Sequence, residues 1–320
     1  MKISNFQNLA KLRFSIIVVH RNGQQRLLDF LDSAHGVIDT NQDEIIVIDN
    51  HSTDDSLEVA IQRYPTIQII RNQYNSGYAY ACNQGIQLSQ GQFILICNND
   101  LKLPNSILDR LIDDFTAYPN TGVIGGQLID HYGNHSTSAG PATNFLTELG
   151  FKRKFKYTVN QANLHKVDTI VGACMAVRRS TIASAGGLDS DFFFYYEETE
   201  WCMRITRHGW DIMLDPSIEI LHTGGASTEH YFKAARIELF RSRLLFWRKT
   251  MPIYAAYTLN LWHILKLAIS VLIYLIINLL TLHSNNRIKN KLLDKANSLA
   301  WLLLGCPKEW GLPDKKPKLS

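Results

Sequence analysis

Cysteine is scarce in this chain of 320 residues, and its pattern narrows the class of protein. The five cysteines are odd in number, and none of their spacings is that of a metal-binding motif: Cys82, Cys97, Cys174, Cys202 and Cys306. This argues against a disulfide framework and favours reduced thiols in a cytosolic compartment. The first 14 residues also lack the continuous apolar run of a signal peptide, so we expect the part of the chain that follows them to stay in the cytosol.

Strong net charge and the common nucleotide-binding glycine motifs are also missing. The formal net charge is only +4, which gives no reason to expect a nucleic-acid partner. The chain contains neither a Gly-x-Gly-x-x-Gly fingerprint nor a P-loop ending in Gly-Lys-Ser/Thr. A nicotinamide-dependent enzyme or a P-loop nucleotide hydrolase would therefore lack its expected signature.

What the chain does have is a regular alternation of apolar runs and amphipathic segments in its first third. Apolar, β-branched runs at 15–19, 44–48, 66–70 and 92–97 predict buried strands, and the segments 24–37, 56–64 and 79–88 predict helices between them. This alternation predicts an α/β fold with a mainly parallel sheet and helices on both faces. Ligands of such sheets bind beyond the carboxyl ends of the strands. Further strands are expected at 122–129 and 167–177, separated by a polar loop region at 130–163.

The most informative stretch is an aromatic run at 192–196 that is followed at once by Glu197, Glu198 and Glu200. Neighbouring carboxylates repel one another, and apolar neighbours desolvate them. Both effects raise a carboxyl pKa and make a better proton acceptor near neutral pH. The alternative is a solvated acidic helix start, because Glu is favoured in a first helical turn.

Polar residues follow two of the predicted strands. Asp49 ends the second strand, and Asn98-Asn99-Asp100 ends the fourth. A carboxylate at a strand end can ligate magnesium or manganese. The alternative for each is a turn in which the side chain hydrogen-bonds its own backbone.

Two further segments have features of a ligand site. In the loop at 72–85, Gly77 permits close approach of the backbone to a ligand, and the helix that follows can face phosphates at its start. His222 precedes a Gly-Gly pair and is a candidate metal ligand, with a structural histidine as the alternative.

Taken in their order and spacing, these segments resemble the family-two inverting glycosyltransferases of the GT-A fold. The resemblance covers residues 15–252 and is strongest to the rhamnosyltransferase-like enzymes of bacterial surface polysaccharide assembly. It implies a Rossmann-like nucleotide-diphospho-sugar transferase fold with a mixed sheet. It also implies a nucleotide-diphosphate sugar donor, dTDP-rhamnose first and UDP-sugars next, and a glycan or lipid-linked acceptor. No Gln-x-x-Arg-Trp motif follows the carboxylates, so we expect a non-processive enzyme.

The resemblance also implies roles for individual residues. The Asp-x-Asp motif of the family falls on Asn98-Asn99-Asp100, so Asp100 is the expected ligand of a divalent cation, Mg²⁺ or Mn²⁺. His222 matches a histidine of the metal or diphosphate contact. The Glu-Asp pair of the family falls on Glu197-Glu198, and its second member, Glu198, is the expected general base.

The remaining implied residues belong to the two substrates. The donor-binding set is Asp49, Asn75, Gly77, Asn83, Asn98, Asn99 and Asp100. Glu200 and Arg204 are expected on the acceptor side. Two alternatives remain open at this point: a nucleotidyltransferase on a similar sheet, and a non-catalytic membrane-bound scaffold with a decayed site.

The C-terminal third has a different character. A basic amphipathic helix is predicted at 236–249, an almost wholly apolar helix at 267–282 and a second amphipathic helix at 286–304. The apolar run is shorter than the ~20 residues needed to cross a bilayer. Basic residues flank it on both sides, which opposes a single crossing. These features favour peripheral or monotopic attachment to the cytoplasmic face of the inner or plasma membrane, with a true span and a buried helix as alternatives.

These expectations divide the chain into three parts. We expect a GT-A domain at 1–252, membrane-associated helices at 253–306 and a disordered tail at 307–320, which is rich in proline and lysine.

Overall fold

The computed structural model describes residues 12–151, 164–223, 232–281, 285–307, 309–312 and 315. The strands are β1 (Leu12–His20), β2 (Asp43–Asp49), β3 (Gln68–Arg71), β4 (Gly91–Asn98), β5 (Leu101–Lys102), β6 (Thr121–Ile129), β7 (Ala139–Gly140), β8 (His165–Lys166), β9 (Thr169–Ile170), β10 (Cys174–Arg178) and β11 (Asp211–His222). The helices are α1 (Gln24–His35), α2 (Ser56–Arg63), α3 (Tyr78–Leu88), α4 (Ile107–Ala117), α5 (Phe145–Leu149), α6 (Arg179–Ala185), α7 (Glu197–Arg207), α8 (Phe232–Thr250), α9 (Ile253–Leu280) and α10 (Asn286–Leu303).

One mixed sheet is built from strands that lie between Leu12 and His222. Its strand order is β3-β2-β1-β4-β10-β6-β11-β5, and β8 pairs alongside β11. Strands β1 to β4, β6 and β11 run in one direction, whereas β5, β8 and β10 run against them. The sheet is thus mixed and mostly parallel, as the alternation of apolar runs and helical segments predicts.

Helices cover both faces of this sheet, because its central strands are apolar on both sides. On one face, buried side chains of α1, α2 and α4 pack against residues such as Ile16 and Val18. On the other face, α3, α6 and α7 pack against residues such as Ile17. Strand β2 is buried along its whole length, which is the pattern of a strand covered on both faces.

The prediction of one strand over 167–177 is wrong. The segment forms two strands, β9 and β10, that are separated by residues 171–173. Two contacts lie at the break. A side chain at Gly172 would meet the Glu198 side chain at 3.3 Å, and the backbone N–H of Asn98 donates to the carbonyl of Ala173 at 2.8 Å. Apolar periodicity cannot reveal either contact, because both come from distant parts of the chain.

The apolar C-terminal helix begins earlier than its composition suggests. Helix α9 starts directly after Pro252 and has 28 residues, which is ~42 Å of helix against a hydrocarbon core of about 30 Å. It is a helix long and apolar enough to cross a membrane, the one such helix in the described part of the chain. Only 11% of its most apolar window is buried.

The C-terminal residues that the structure describes lie against α8. The buried Glu238 pairs with Arg241 and Lys315 and accepts a hydrogen bond from the backbone N–H of Leu312. The Lys315 ammonium lies 4.4 Å from the ring centroid of Phe193. The buried carboxylate is stabilised by the cations that these residues bring to it, and the disordered tail at 307–320 stays a prediction.

Candidate active site

The carboxyl ends of the parallel strands gather the predicted polar residues at one edge of the sheet. His20 and Asp49 are directly paired at the ends of β1 and β2, and Asn98 pairs with Val19 at the end of β4. His222 ends β11. A cleft opens beyond the ends of β1, β2 and β4 and is lined by residues that include Asn75, Gly77 and Asn99.

Asn50 organises the loop on one side of this cleft, and the sequence analysis does not identify it. Its amide nitrogen donates to Asn75 Oδ1 at 2.9 Å and to the carbonyl of Gly77 at 3.3 Å. Its amide oxygen accepts from the backbone N–H and the hydroxyl of Ser76 at 2.9 and 2.8 Å. The signal in the sequence is an Asn close behind the apolar run of β2. The structure shows that this Asn is buried, and a buried amide must find internal partners.

Protein packing requires a glycine at position 77. Its φ of 86° is in the left-handed region, and a Cβ there would lie 2.7 Å from the carbonyl oxygen of Phe193. The same carbonyl accepts a hydrogen bond from the backbone N–H of Tyr78 at 2.7 Å. The close approach at Gly77 is thus made by the aromatic run, Gly77 also lines the cleft, and its expected place in the donor-binding set stays a prediction.

Asp49 lies where the sequence predicts, but Asn83 does not lie in the cleft. Asp49 is buried, and its Oδ1 accepts from the backbone N–H of Ser52 at 3.1 Å, as in the predicted turn. The Asn83 amide donates to the carbonyl of Leu188 at 2.7 Å and to the Ser190 hydroxyl at 3.0 Å, and accepts from the Leu188 N–H at 3.0 Å. These contacts occupy both ends of the Asn83 amide, and its expected donor-binding role stays a prediction.

A buried hydrogen-bond chain lies behind Asn99. The Nδ1 atom of His20 is 2.8 Å from Asn99 Nδ2, and its Nε2 atom is 2.7 Å from the hydroxyl of Ser56. That hydroxyl is 2.5 Å from Asp54 Oδ1. Burial lowers the pKa of His20 to about 4, so its imidazole is neutral at physiological pH.

Asp100 and His222 come together because the short strand β5 pairs antiparallel with the end of β11. Asp100 Oδ1 lies 3.4 Å from His222 Nε2. This oxygen is buried and accepts no hydrogen bond from the residues that the structure describes. The carbonyl of Asp100 is held by the N–H and the hydroxyl of Thr223, both at 3.1 Å. Residues 224–227 of the predicted motif lie outside the described residues.

This pair fits a divalent cation. A buried carboxylate oxygen without a partner is costly, and a bound cation would remove that cost. Carboxylate oxygen is a preferred ligand of both Mg²⁺ and Mn²⁺, and imidazole nitrogen is a common metal ligand. In the described ranges, no group of three or more His, Cys, Asp or Glu side chains could hold a metal ion. Oxygen atoms of water or of a substrate could complete the coordination of a cation at Asp100 and His222.

The three glutamates open helix α7, as the helix-start alternative predicts, but they are not solvated. Tyr195 and Tyr196 both have left-handed backbones, with φ of 72° and 68°. Such conformations are uncommon outside glycine and are kept where the surroundings impose them. The resulting turn leads into a first helical turn in which Glu197 and Glu200 are buried.

Glu197 and Glu198 have different surroundings, although both are perturbed. Burial, together with the charge of Glu198, raises the pKa of Glu197 well above its usual range. Burial also raises the pKa of Glu198, and the backbone N–H groups at 198 and 199 oppose that shift. The Oε2 atom of each accepts no hydrogen bond within the described part of the chain. Glu197 is 4% exposed, whereas Glu198 is only half-buried and is the more accessible carboxylate.

Contacts connect Glu198 to the cleft. Its side chain lies against Gly172, whose carbonyl accepts a hydrogen bond from the hydroxyl of Tyr78 at 3.0 Å. Tyr78 lines the cleft. The charge of Glu197 also acts on Tyr78, and on Cys82, which is fully buried in α3.

Glu200 and Arg204 pair with each other, and Arg204 also binds backbone carbonyls. Arg204 makes two hydrogen bonds to the Glu200 carboxylate, at 2.9 and 2.8 Å. It also donates to the carbonyls of Ala185 and Gly187. These contacts join the first turns of α7 to the loop after α6, and the expected acceptor-side role of Glu200 and Arg204 stays a prediction.

Comparisons with known proteins identify the family of the chain. The model of glycosyl transferase family 2 matches residues 15–185, which is more than half of the chain. An N-acetylglucosaminyl-diphospho-decaprenol L-rhamnosyltransferase of Mycobacterium tuberculosis is 27% identical over 207 residues, covering 58% of this chain and 67% of that protein. A dTDP-rhamnosyl transferase of Shigella flexneri is 26% identical over 184 residues, covering 57% and 60%.

The fold is also shared with solved structures. The mannosyltransferase PcManGT from Pyrobaculum calidifontis, solved with GDP-Man and Mn²⁺, has a TM-score of 0.57 and 15% identity, and the match covers 94% of this chain and 89% of that one. GalNAc-T7, solved with UDP, GalNAc and Mn²⁺, has a TM-score of 0.53 and 18% identity over 68% of this chain and 44% of that one. The GT-A fold is thus confirmed, and glycosyl transfer replaces the nucleotidyltransferase and decayed-scaffold alternatives. The chain belongs to glycosyl transferase family 2, with its relatives among the rhamnosyltransferases.

Proposed function

We propose that this glycosyltransferase is metal-dependent and inverting, and that it moves rhamnose from dTDP-rhamnose to a hydroxyl of a lipid-linked glycan acceptor. The observation that carries the proposal is the pairing of two features at one sheet edge. One is the buried Asp100 oxygen beside His222, and the other is the raised pKa of Glu198 beside Gly172. A cation site and a proton acceptor are the two groups that sugar transfer from a nucleotide diphosphate needs.

The donor would occupy the cleft at the carboxyl ends of β1, β2 and β4. Asn75, Asn98 and Asn99 present polar groups there, and Gly77 also lines it. Asp49 is the strand partner of His20, which lines the cleft, and is proposed as a further donor-binding residue. The choice of dTDP-rhamnose is supported by relatives whose names specify rhamnosyl transfer. The solved neighbours contain GDP-Man or UDP, so their likeness supports the fold and not the nucleotide.

Asp100 and His222 are the residues that would hold the divalent cation. When bound, such a cation neutralises negative charge on a leaving diphosphate. Mg²⁺ sites are commonly completed by substrate phosphates around one or two carboxylates, which suits a pair that the protein leaves incomplete.

Glu198 would act as the general base. Its carboxylate accepts the proton of the acceptor hydroxyl while the hydroxyl oxygen bonds the anomeric carbon. The bond from that carbon to the diphosphate oxygen breaks in the same displacement, and the diphosphate leaves with the electron pair. A single displacement inverts the anomeric carbon. A positioned base of this kind contributes roughly 10²–10⁴-fold to the rate.

Membrane attachment would bring the enzyme to a lipid-linked acceptor. Most apolar side chains of α9 are exposed, including Ile269, Leu272 and Leu280. The adjoining α10 exposes Arg287, Lys289 and Lys291, which suit an anionic lipid surface. We place these helices at the cytoplasmic face as a peripheral or monotopic attachment, because basic residues flank α9 at both ends.

A binding panel tests the metal-dependent core of this proposal. Thermal shifts are measured with dTDP, UDP and GDP, each with and without Mn²⁺. We expect dTDP to stabilise the protein most, and only when Mn²⁺ is present. A chain that no nucleotide diphosphate stabilises in a metal-dependent way is not the enzyme proposed here. Turnover of dTDP-rhamnose, followed by release of dTDP with a polyprenyl-diphosphate glycan as acceptor, then tests the substrates.

A further inference from the structure

A chain of four polar side chains connects the protein surface to the donor cleft. It begins at the exposed Asp54, passes through the Ser56 hydroxyl and the imidazole of His20, and ends at the amide of Asn99. Its three links measure 2.5, 2.7 and 2.8 Å. His20 and Ser56 are fully buried, so neither can exchange its partners with water.

The direction of every hydrogen bond in this chain follows from its first member. Although burial opposes it, hydrogen bonds from Ser56 and the backbone N–H of Gly23 lower the pKa of Asp54, so its carboxylate is ionised and can only accept. The single proton of the Ser56 hydroxyl therefore goes to Asp54. Because that proton is used, the Ser56 oxygen must accept from His20 Nε2–H.

The same reasoning continues to the cleft. A neutral imidazole carries one proton, so a proton on Nε2 makes Nδ1 an acceptor. Asn99 must then offer its amide nitrogen to His20, as the geometry has it at 2.8 Å. Its amide oxygen consequently faces away from His20, and Asn99 lines the cleft.

We propose that Asp54, Ser56 and His20 are positioning residues that fix the amide of Asn99, with its nitrogen toward His20 and its oxygen toward the donor. The oxygen would accept a hydrogen bond from a hydroxyl or N–H group of the nucleotide. A reversed amide would meet that group with a second donor, and the hydrogen bond would be lost. The consequence for the donor rests on the proposed function, whereas the direction of the chain does not.

The imidazole of His20 reports the direction of the chain directly. Nitrogen-15 chemical shifts of histidine-labelled protein distinguish the Nε2–H tautomer, the Nδ1–H tautomer and the imidazolium ion. The His20 signals are assigned by their loss in the variant His20→Asn. We expect the Nε2–H tautomer at neutral pH. Either of the other two forms would overturn the proposal, whatever the enzyme's substrate.

Reversing the first link should reverse the rest. In Asp54→Asn, an amide oxygen kept on the N–H of Gly23 places the amide nitrogen at the Ser56 hydroxyl, to which it donates, with loss of the hydrogen bond from the Ser56 N–H. The nitrogen-15 shifts of His20 in this variant show whether the amide takes this orientation. The Ser56 proton turns to His20, Nε2 becomes the acceptor, and Asn99 must offer its oxygen to Nδ1–H. Asp55→Asn is the matched control, because the Asp55 side chain makes no capping hydrogen bond at the start of α2.

The binding arm uses dTDP with Mn²⁺ as the probe. We expect Asp54→Asn to weaken dTDP binding and to raise KM for the donor, roughly 5- to 150-fold, with kcat little changed. Ser56→Ala, which frees His20 to take either tautomer, should weaken binding less, and Asp55→Asn should not change it. The positioning role is overturned if the wild type binds dTDP and Asp54→Asn reverses the His20 tautomer without changing that binding. A wild-type protein that binds no nucleotide diphosphate would instead refute the proposed function and leave the tautomer result standing.

Discussion

Replacing Glu198 by Gln should abolish most sugar transfer while leaving the donor site intact. The substitution keeps the size of the side chain and removes its ability to accept a proton. A positioned general base contributes ~10²–10⁴-fold, or about 2.7–5.4 kcal/mol of transition-state stabilisation. We expect kcat to fall by that factor and the affinity for dTDP with Mn²⁺ to stay the same, since Glu198 contacts Gly172 and not the Asp100 pair.

Glu197→Gln is the matched control for this substitution. Glu197 is the adjacent carboxylate, with a pKa raised by the same burial, but it is 4% exposed and its charge acts on buried residues of α3. We expect this variant to retain transfer. If Glu197→Gln is inactive and Glu198→Gln retains turnover, the assignment of the base is wrong.

The pH dependence of kcat provides a second readout. Glu198 must be deprotonated to act, and burial raises its pKa. The acidic limb of the pH–rate profile should therefore lie above the ordinary Glu pKa of about 4.3, and it should be absent from the residual activity of Glu198→Gln. A wild-type limb at an ordinary carboxylate pKa would refute the argument from burial.

Four further substitutions test other parts of the site. Asp100→Asn should remove the Mn²⁺ dependence of dTDP stabilisation, and an unchanged metal response would place the cation elsewhere. Gly77→Ala should destabilise the fold by about 1–3 kcal/mol in urea unfolding, because a Cβ would lie 2.7 Å from the Phe193 carbonyl. Asn83→Ala should cost a similar ~1–3 kcal/mol without changing KM for the donor, and a raised KM would restore its donor-binding role. Glu197→Gln should have a higher Tm than the wild type, by a margin that grows as the pH rises. The wild type loses stability as the pH rises toward the raised folded-state pKa of Glu197, whereas the amide of the variant does not ionise.

The sheet and its polar edge could be predicted because both follow from local patterns. Apolar runs separated by helical segments specify parallel strands, and the carboxyl ends of parallel strands must share an edge. Asp49 and Asn98 were found in this way. Their position required no knowledge of any particular contact, only the order of strands and helices along the chain.

The residues that the sequence analysis missed or misplaced all depend on partners far away in the chain. Asn50 acts through residues 72–77, and His20 acts through Ser56 and Asn99. Helical periodicity placed Asn83 on α3 but could not show that this face meets Leu188 rather than the cleft. A single sequence contains the chemistry of such groups, but the fold decides which of their partners are within reach.

The aromatic run at 192–196 shows why the boundary at residue 252 describes composition better than structure. Phe192 and Tyr196 pack in one cluster with Phe246 of α8 and Leu259 of α9. Between them, the carbonyl of Phe193 fixes the loop at Gly77, and the chain then enters α7 at the proposed base. The same five residues therefore contact the loop at Gly77, precede Glu198 and anchor the first turns of the apolar helix α9. Since the left-handed turn at 195–196 persists only where its surroundings impose it, the packing of α8 and α9 against this run helps to hold Glu198 in place.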